Sequence, residues 1–250
     1  MWHDPVILTV GAVAAIFAGI SKGGFGSGAA FAASAMLALV APPAVAVGVM
    51  LPLLMLIDLG ALTAWWGRWS RRESVLLIAG GLPGVILGVL FWRIAPADVI
   101  RIAIGLVALG FVAWRVGSQN GWFRAGRIGA GAGPGLVAGT VSGFTSFVSH
   151  AGGPPAAVYM LGRGLSKEAY QGTTVIAFFA INVMKLPAYV GLGLIGRESL
   201  TLGAVLAPLA LLGTWLGVLA HSVISEAAFF RIVYVLLTVT GAKLIWDGVS

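Results

Sequence analysis

Inside an otherwise apolar run covering residues 6–41, the chain reads Gly19-Ile-Ser-Lys-Gly-Gly-Phe-Gly-Ser-Gly28. Five glycines and a lysine within ten residues do not belong in a continuous membrane helix, because each interior glycine gives up backbone freedom without burying a side chain. The flanks are apolar on the scale needed to cross about 30 Å of hydrocarbon. The chain therefore enters as helix, unwinds and resumes. Unwound backbone is tolerated at membrane depth only where it is buried in protein or lines a polar cavity. A second interruption, Ser142-Gly-Phe-Thr-Ser-Phe-Val-Ser-His-Ala-Gly-Gly-Pro-Pro155, divides the run 129–160 in the same way.

Outward from these breaks, unbroken apolar runs cover residues 44–66, 74–94, 99–116, 169–194, 200–224 and 227–249. The reading is an all-α polytopic membrane protein of two repeated halves. Each half has about four hydrophobic segments, the first of them broken: residues 1–116, a cytoplasmic linker at 117–128, and residues 129–250. Internal likeness supports the duplication. Gly19 and Gly139 each precede a break, Gly84-x-x-x-Gly88 parallels Gly213-x-x-x-Gly217, and Asp98-Val-Ile-Arg-Ile resembles Ala228-Phe-Phe-Arg-Ile. Repeats of this kind in transporters place the substrate site at their interface near the membrane midplane. The basic stretches around Arg68, Arg71 and Arg72 and around Arg115, Arg124 and Arg127 are expected on the cytoplasmic side. A full crossing by the broken first segment puts both termini inside and makes the repeats parallel, whereas a re-entrant hairpin makes them inverted. The full crossing is the expectation taken.

Composition agrees. Of 250 residues, 59% are hydrophobic and 9% charged, against roughly a quarter charged in soluble domains. A cytosolic enzyme, a nucleic-acid reader and a disordered chain are excluded. The excess of Lys+Arg (15) over Asp+Glu (8) lies between the apolar runs, where positive-inside topology accounts for it. There is no cysteine, hence no disulfide, thiolate metal site or Cys nucleophile. Neither a metal nor a cofactor is expected, and the start of the chain has no basic region typical of a cleaved signal.

The breaks carry the candidate chemistry. In the first, Ser21, Lys22, Gly23, Gly24 and Gly26 combine backbone N–H groups free to converge with one full positive charge, an arrangement suited to an anion. The alternative is close helix packing with Lys22 snorkelling to an interface. In the second, Ser142, Thr145, Ser146, Ser149 and His150 supply hydroxyls and an imidazole, while Gly152 and Gly153 open a helical piece whose following prolines favour its first turn. His150 reads equally as a hydrogen-bonded packing residue. Polar residues within apolar spans are costly and thus informative. They are Asp58, Asn182 and Lys185. Sliding the halves together from Gly48 and Gly172 sets Asp58 opposite Asn182. Asn182 and Lys185, three apart, share a helix face. Asp58 and His150 are the candidates for proton or ion coupling. A hydrolase using a serine with His150 lacks the Gly-x-Ser-x-Gly elbow, so no catalytic residue is assigned.

Ser21-Lys-Gly-Gly-Phe-Gly-Ser-Gly28, the second break, and Gly172-Thr-Thr-Val-Ile-Ala-Phe-Phe-Ala-Ile-Asn-Val-Met-Lys-Leu-Pro-Ala-Tyr189 resemble signatures of the sulfite exporter TauE/SafE family, also called the toluene-sulfonate uptake permease family. Ser27 stands where that pattern leads one to expect a further glycine. The resemblance implies a multi-pass inner-membrane secondary transporter for sulfite or a related sulfur anion such as sulfoacetate or another organosulfonate. Its partners would be that small anion, membrane lipids and a coupled proton, with a homo-oligomer left open and no nucleic acid. A channel-like anion facilitator is the nearest alternative.

Overall fold

The computed structural model describes residues 4–25, 29–122, 129, 131–220 and 226–250. Among these the chain is helical, without a strand. Helix α1 (Pro5–Ile20) passes directly into a π-helical turn, Ser21–Phe25, and the first half continues with α2 (Phe31–Ala38), α3 (Pro43–Ala64), α4 (Arg71–Ile94) and α5 (Ala97–Gln119). The second half contains α6 (Gly133–Ser149), α7 (Gly153–Gly162), α8 (Lys167–Gly191), α9 (Arg197–Ala220) and α10 (Glu226–Val249). Among the described residues, seven segments are long and apolar enough to cross a membrane: α1 with its π turn, α3, α4, α5, α8, α9 and α10. A break falls between α6 and α7 as expected, whereas the stretch expected to unwind after Gly19 stays helical as a π turn through Phe25, and the rest of that break, 26–28, lies outside the described residues. Residues 123–128, half of the expected linker, lie outside the described residues.

Local sequence explains the helix ends. Asp4 caps α1 by accepting from the Val6 and Ile7 amides, with Pro5 in the first turn. Ser166 caps α8 by accepting from the Ala169 amide. Outward faces stay apolar, with Leu82, Ile86 and Leu90 exposed on α4 and Val235 and Val239 on α10.

Glycines set the helix crossings, because the absent Cβ lets backbones touch. A Cβ at Gly19 would lie 2.3 Å from the Ala210 carbonyl oxygen, and one at Gly213 2.3 Å from that of Ile16. On the other side, Gly139 meets Leu77 and Gly80 meets Leu136, with added-Cβ distances of 2.6 and 2.2 Å. Thus α1 runs beside and parallel to α9, and α6 beside and parallel to α4, each broken helix packing on a helix of the opposite half. The crossings correspond contact for contact: Gly217 meets Ile20, and Gly84 meets Thr140. Gly80, Gly84 and Gly88 all lie on the side of α4 that meets α6, and Gly213 and Gly217 on the side of α9 that meets α1.

These contacts also correct the expected path of the broken segments. The end of the π turn, Gly24, packs on Gly217 late in α9, yet Gly48 near the start of α3 packs on Leu194 and Ser199, where α9 begins. The chain between them must return along the length of α9. Likewise α6 ends with Phe147 against Gly88, late in α4, while Thr173 near the start of α8 accepts from the Ser70 amide at the head of α4. Both breaks are therefore turning points of re-entrant hairpins. Hydropathy along 6–41 registers apolarity and carries no sign of direction.

Candidate functional site

Where the hairpins meet between α3 and α8, their polar residues converge. Lys22 in the π turn pairs with Asp58 on α3, Nζ to Oδ1 at 2.5 Å, and both side chains are buried. The other Asp58 oxygen accepts from Asn182 Nδ2 on α8 at 2.9 Å. One turn along α8, Lys185 is fully buried and donates to Ser146 O at 2.9 Å and Ser146 Oγ at 3.1 Å. It also lies 2.9 Å from His150 Nδ1. The far ring nitrogen, Nε2, is 3.0 Å from the Val47 carbonyl oxygen, so Nε2 carries the hydrogen and Nδ1 presents a lone pair to Lys185. Three acceptors around Lys185 match the three hydrogens of an ammonium.

His150 takes this position because it terminates α6 in the left-handed conformation, φ 59°. That conformation is uncommon outside glycine, although histidine is among the residues enriched there. Its amide donates to Ser146 O and the Ala151 amide to Thr145 O, closing the helix end.

A small cavity is bounded by Lys22, Ala30, Leu54, Ser146, His150, Gly153, Phe178 and Asn182. It has room for about one water molecule. Ala30 is the cap position of α2, and Gly153 is the first residue of α7. Two half-helices thus turn their N-terminal amides, with their partial positive charge, toward one space. Asp58 and Lys185 stand behind the wall. Asp58 holds Lys22 and Asn182, and Lys185 holds Ser146 and His150.

Of the residues singled out in the sequence, Lys22, His150, Gly153 and Asn182 line the cavity. Asp58 and Lys185 touch its liners. Ser21 is buried at the start of the π turn. Gly23 and Gly24 face α9, where an added Cβ would lie 2.4 Å from the Thr214 and 2.1 Å from the Gly217 carbonyl oxygens. Gly152 packs against Phe178 and the Ser142 carbonyl. Thr145 donates to the Val141 carbonyl and Ser149 to that of Thr145, both within α6. Ser142 is buried, and its hydroxyl has no hydrogen-bond partner among the described residues. Gly26 lies outside the described residues. Ser146, one of the hydroxyls of the second break, also lines the cavity, four residues before His150.

Toward the ends of α3 and α5 a vestibule of about 440 Å³ opens to solvent, lined among others by Gly24, Trp65, Arg68, Arg115, Lys167 and Gln171. Gln171 Nε2 donates to the Lys22 carbonyl at 3.0 Å. Vestibule and cavity are therefore separated by little more than the π turn itself. Away from the vestibule, His150 is held to the Val47 carbonyl near the start of α3.

Two interrupted helical segments thus meet at one small cavity bounded by Lys22, Ser146, His150 and Asn182, inside a polytopic membrane protein. The chain matches the family model described as sulfite exporter TauE/SafE over residues 11–244. It belongs to that family, and the family is one of membrane transporters. Comparison with curated proteins and with solved structures returned no match.

Proposed function

We propose that the protein is a secondary transporter of the inner membrane that moves sulfite or a related sulfur anion, bound between the two breaks, by alternating access. One observation carries this reading: Lys22, Asn182, Ser146 and the N-termini of α2 and α7 surround a single cavity. Charge-assisted donors and helix N-termini together favour a small oxyanion. The correspondence of the α1–α9 and α6–α4 crossings supports two inverted repeats. Arg68, Arg115 and Lys167 around the vestibule support its placement on the cytoplasmic side. The conformation is then open inward, with an occluded site below. Because the cavity is smaller than sulfite, binding requires the π turn and the α6–α7 turn to separate.

Purified protein in liposomes tests this directly. Labelled sulfite should enter or leave protein-containing vesicles far faster than empty ones, and rates should saturate with concentration. Saturation separates a carrier from a channel-like facilitator. Vesicles no more permeable than protein-free controls would refute the proposal.

A further inference from the structure

Resting on that transport reading, we propose that Asp58 determines the charge of the anion the site accepts: the site takes a monoanion, and Asp58 is the built-in carboxylate that keeps it from taking a dianion. Asp58 reaches two of the donors that line the cavity, Lys22 at 2.5 Å and Asn182 at 2.9 Å. Lys22 is thereby neutralised in place. Lys185 has no carboxylate partner among the described residues; its acceptors are a carbonyl, a hydroxyl and a neutral imidazole. With Lys185 as an ammonium, the form its three acceptors match, the cluster carries one net positive charge. Charges removed from water are stable when locally compensated, so a single negative charge on the ligand brings the occupied cavity to neutrality.

A dianion leaves one charge in excess unless Asp58 takes up a proton and releases Lys22. The titratable groups facing Asp58 are Lys22 from the π turn and Lys185 from α8, with His150 beyond Lys185. Helix α9, packed on α3, brings the uncharged Thr214. Protonating Asp58 raises the cluster by one positive charge, which admits a dianion and carries a proton with it. Asp58 and Lys185 act through the groups they hold; neither lines the cavity.

The test is a charge series read with two probes of fixed charge, methanesulfonate (monoanion) and sulfate (dianion). Each is titrated at neutral pH and constant ionic strength into the full-length protein in detergent, and the ratio of the two Kd values is compared. The wild type should favour methanesulfonate. Asp58→Asn should shift the ratio toward sulfate by about tenfold or more, the scale of one charge-assisted hydrogen bond. Lys22→Met combined with Asp58→Asn should return the preference to methanesulfonate, and Lys185→Met should weaken both probes. The double variant keeps the proposal testable even if Asp58→Asn does not fold, because a purely structural Asp58 gives no reason for the ratio to follow the charge count. If neither anion binds the wild type, the transport site itself is wrong. If anions bind but sulfate is favoured by the wild type, or the ratio ignores the charge series, the proposal is overturned.

Discussion

Asp58 and Asn182 lie 124 residues apart and meet through a 2.9 Å hydrogen bond in the interior of the molecule. Both stand ten residues beyond a glycine, Gly48 on α3 and Gly172 on α8, so on the duplicated reading of the sequence the bond joins like positions. One partner can ionise and the other cannot. The first half thus holds the ion pair of Lys22 and Asp58, and Asn182 from the second half donates to it without titrating.

Removing either lysine should weaken anion binding. For Lys22→Ala and Lys185→Ala the expected loss is about 1.5–3 kcal/mol, the range for a hydrogen bond to a charged group. Arginine should restore it only in part, because a planar guanidinium does not fill the space of a compact ammonium. Lys22→Ala also strands Asp58, and breaking a buried pair costs on the order of 3–5 kcal/mol of stability. Combining it with Asp58→Asn relieves that cost. Calorimetric titration with sulfite alongside thermal unfolding separates the two effects. Unchanged Kd in both alanine variants would make these lysines structural.

The crossings should tolerate no side chain. At Gly84 an added Cβ would lie 2.1 Å from the Thr140 carbonyl oxygen, and at Gly213 2.3 Å from that of Ile16. Backbone cannot yield as a flexible side chain does, so Gly84→Ala and Gly213→Ala should each destabilise by roughly 1–3 kcal/mol, the scale of overpacking. Gly110, with nothing within 4 Å of its would-be Cβ, provides the control: Gly110→Ala should leave the melting temperature in detergent unchanged or raised.

Much of this architecture is visible in the residues. The breaks declare themselves because glycine, serine and proline clusters cannot continue a membrane helix, and Asp58, Asn182 and Lys185 declare themselves by being polar where polarity is costly. Two features are hidden for definite reasons. The return of α2 and α7 is invisible because hydropathy carries no direction and α2 has only eight residues within one apolar run. The register of α4 on α6 is ambiguous because glycine recurs at 80, 84 and 88, which permits alignments one turn apart. Val47 could not be found at all, since it takes part through its backbone carbonyl.

The hairpin topology predicts which loops share a face. Ser70, between α3 and α4, should lie on the cytoplasmic side, and Pro96, between α4 and α5, on the other. The chain has no cysteine, so each single-cysteine variant reports one site. In intact cells a membrane-impermeant maleimide should label Pro96→Cys and spare Ser70→Cys until the membrane is opened. The reverse pattern would invert the proposed orientation of the vestibule.

Proton coupling is the final expectation, and it falls on Asp58 and His150. A weak-acid anion can be driven by a pH gradient if a group at the site gains and loses a proton as the anion binds and leaves. Asp58 does so by exchanging its bond to Lys22 for a proton. His150 does so at Nδ1, once Lys185 withdraws from it; its other nitrogen remains engaged with Val47. For Asp58 the diagnostic variant is asparagine, which keeps the shape and cannot titrate. For His150 it is asparagine again, because the residue has φ 59° and asparagine tolerates the left-handed region better than most side chains. In liposomes loaded with saturating sulfite, each variant should retain counterflow exchange of labelled substrate. The variant that removes the coupling group should no longer accumulate substrate when a pH gradient is imposed. Should both variants accumulate sulfite as the wild type does, the proton is not carried by either group. Asp58 would then serve to orient Lys22 and Asn182, and His150 to line the cavity while held to Val47, leaving the anion to follow its own gradient.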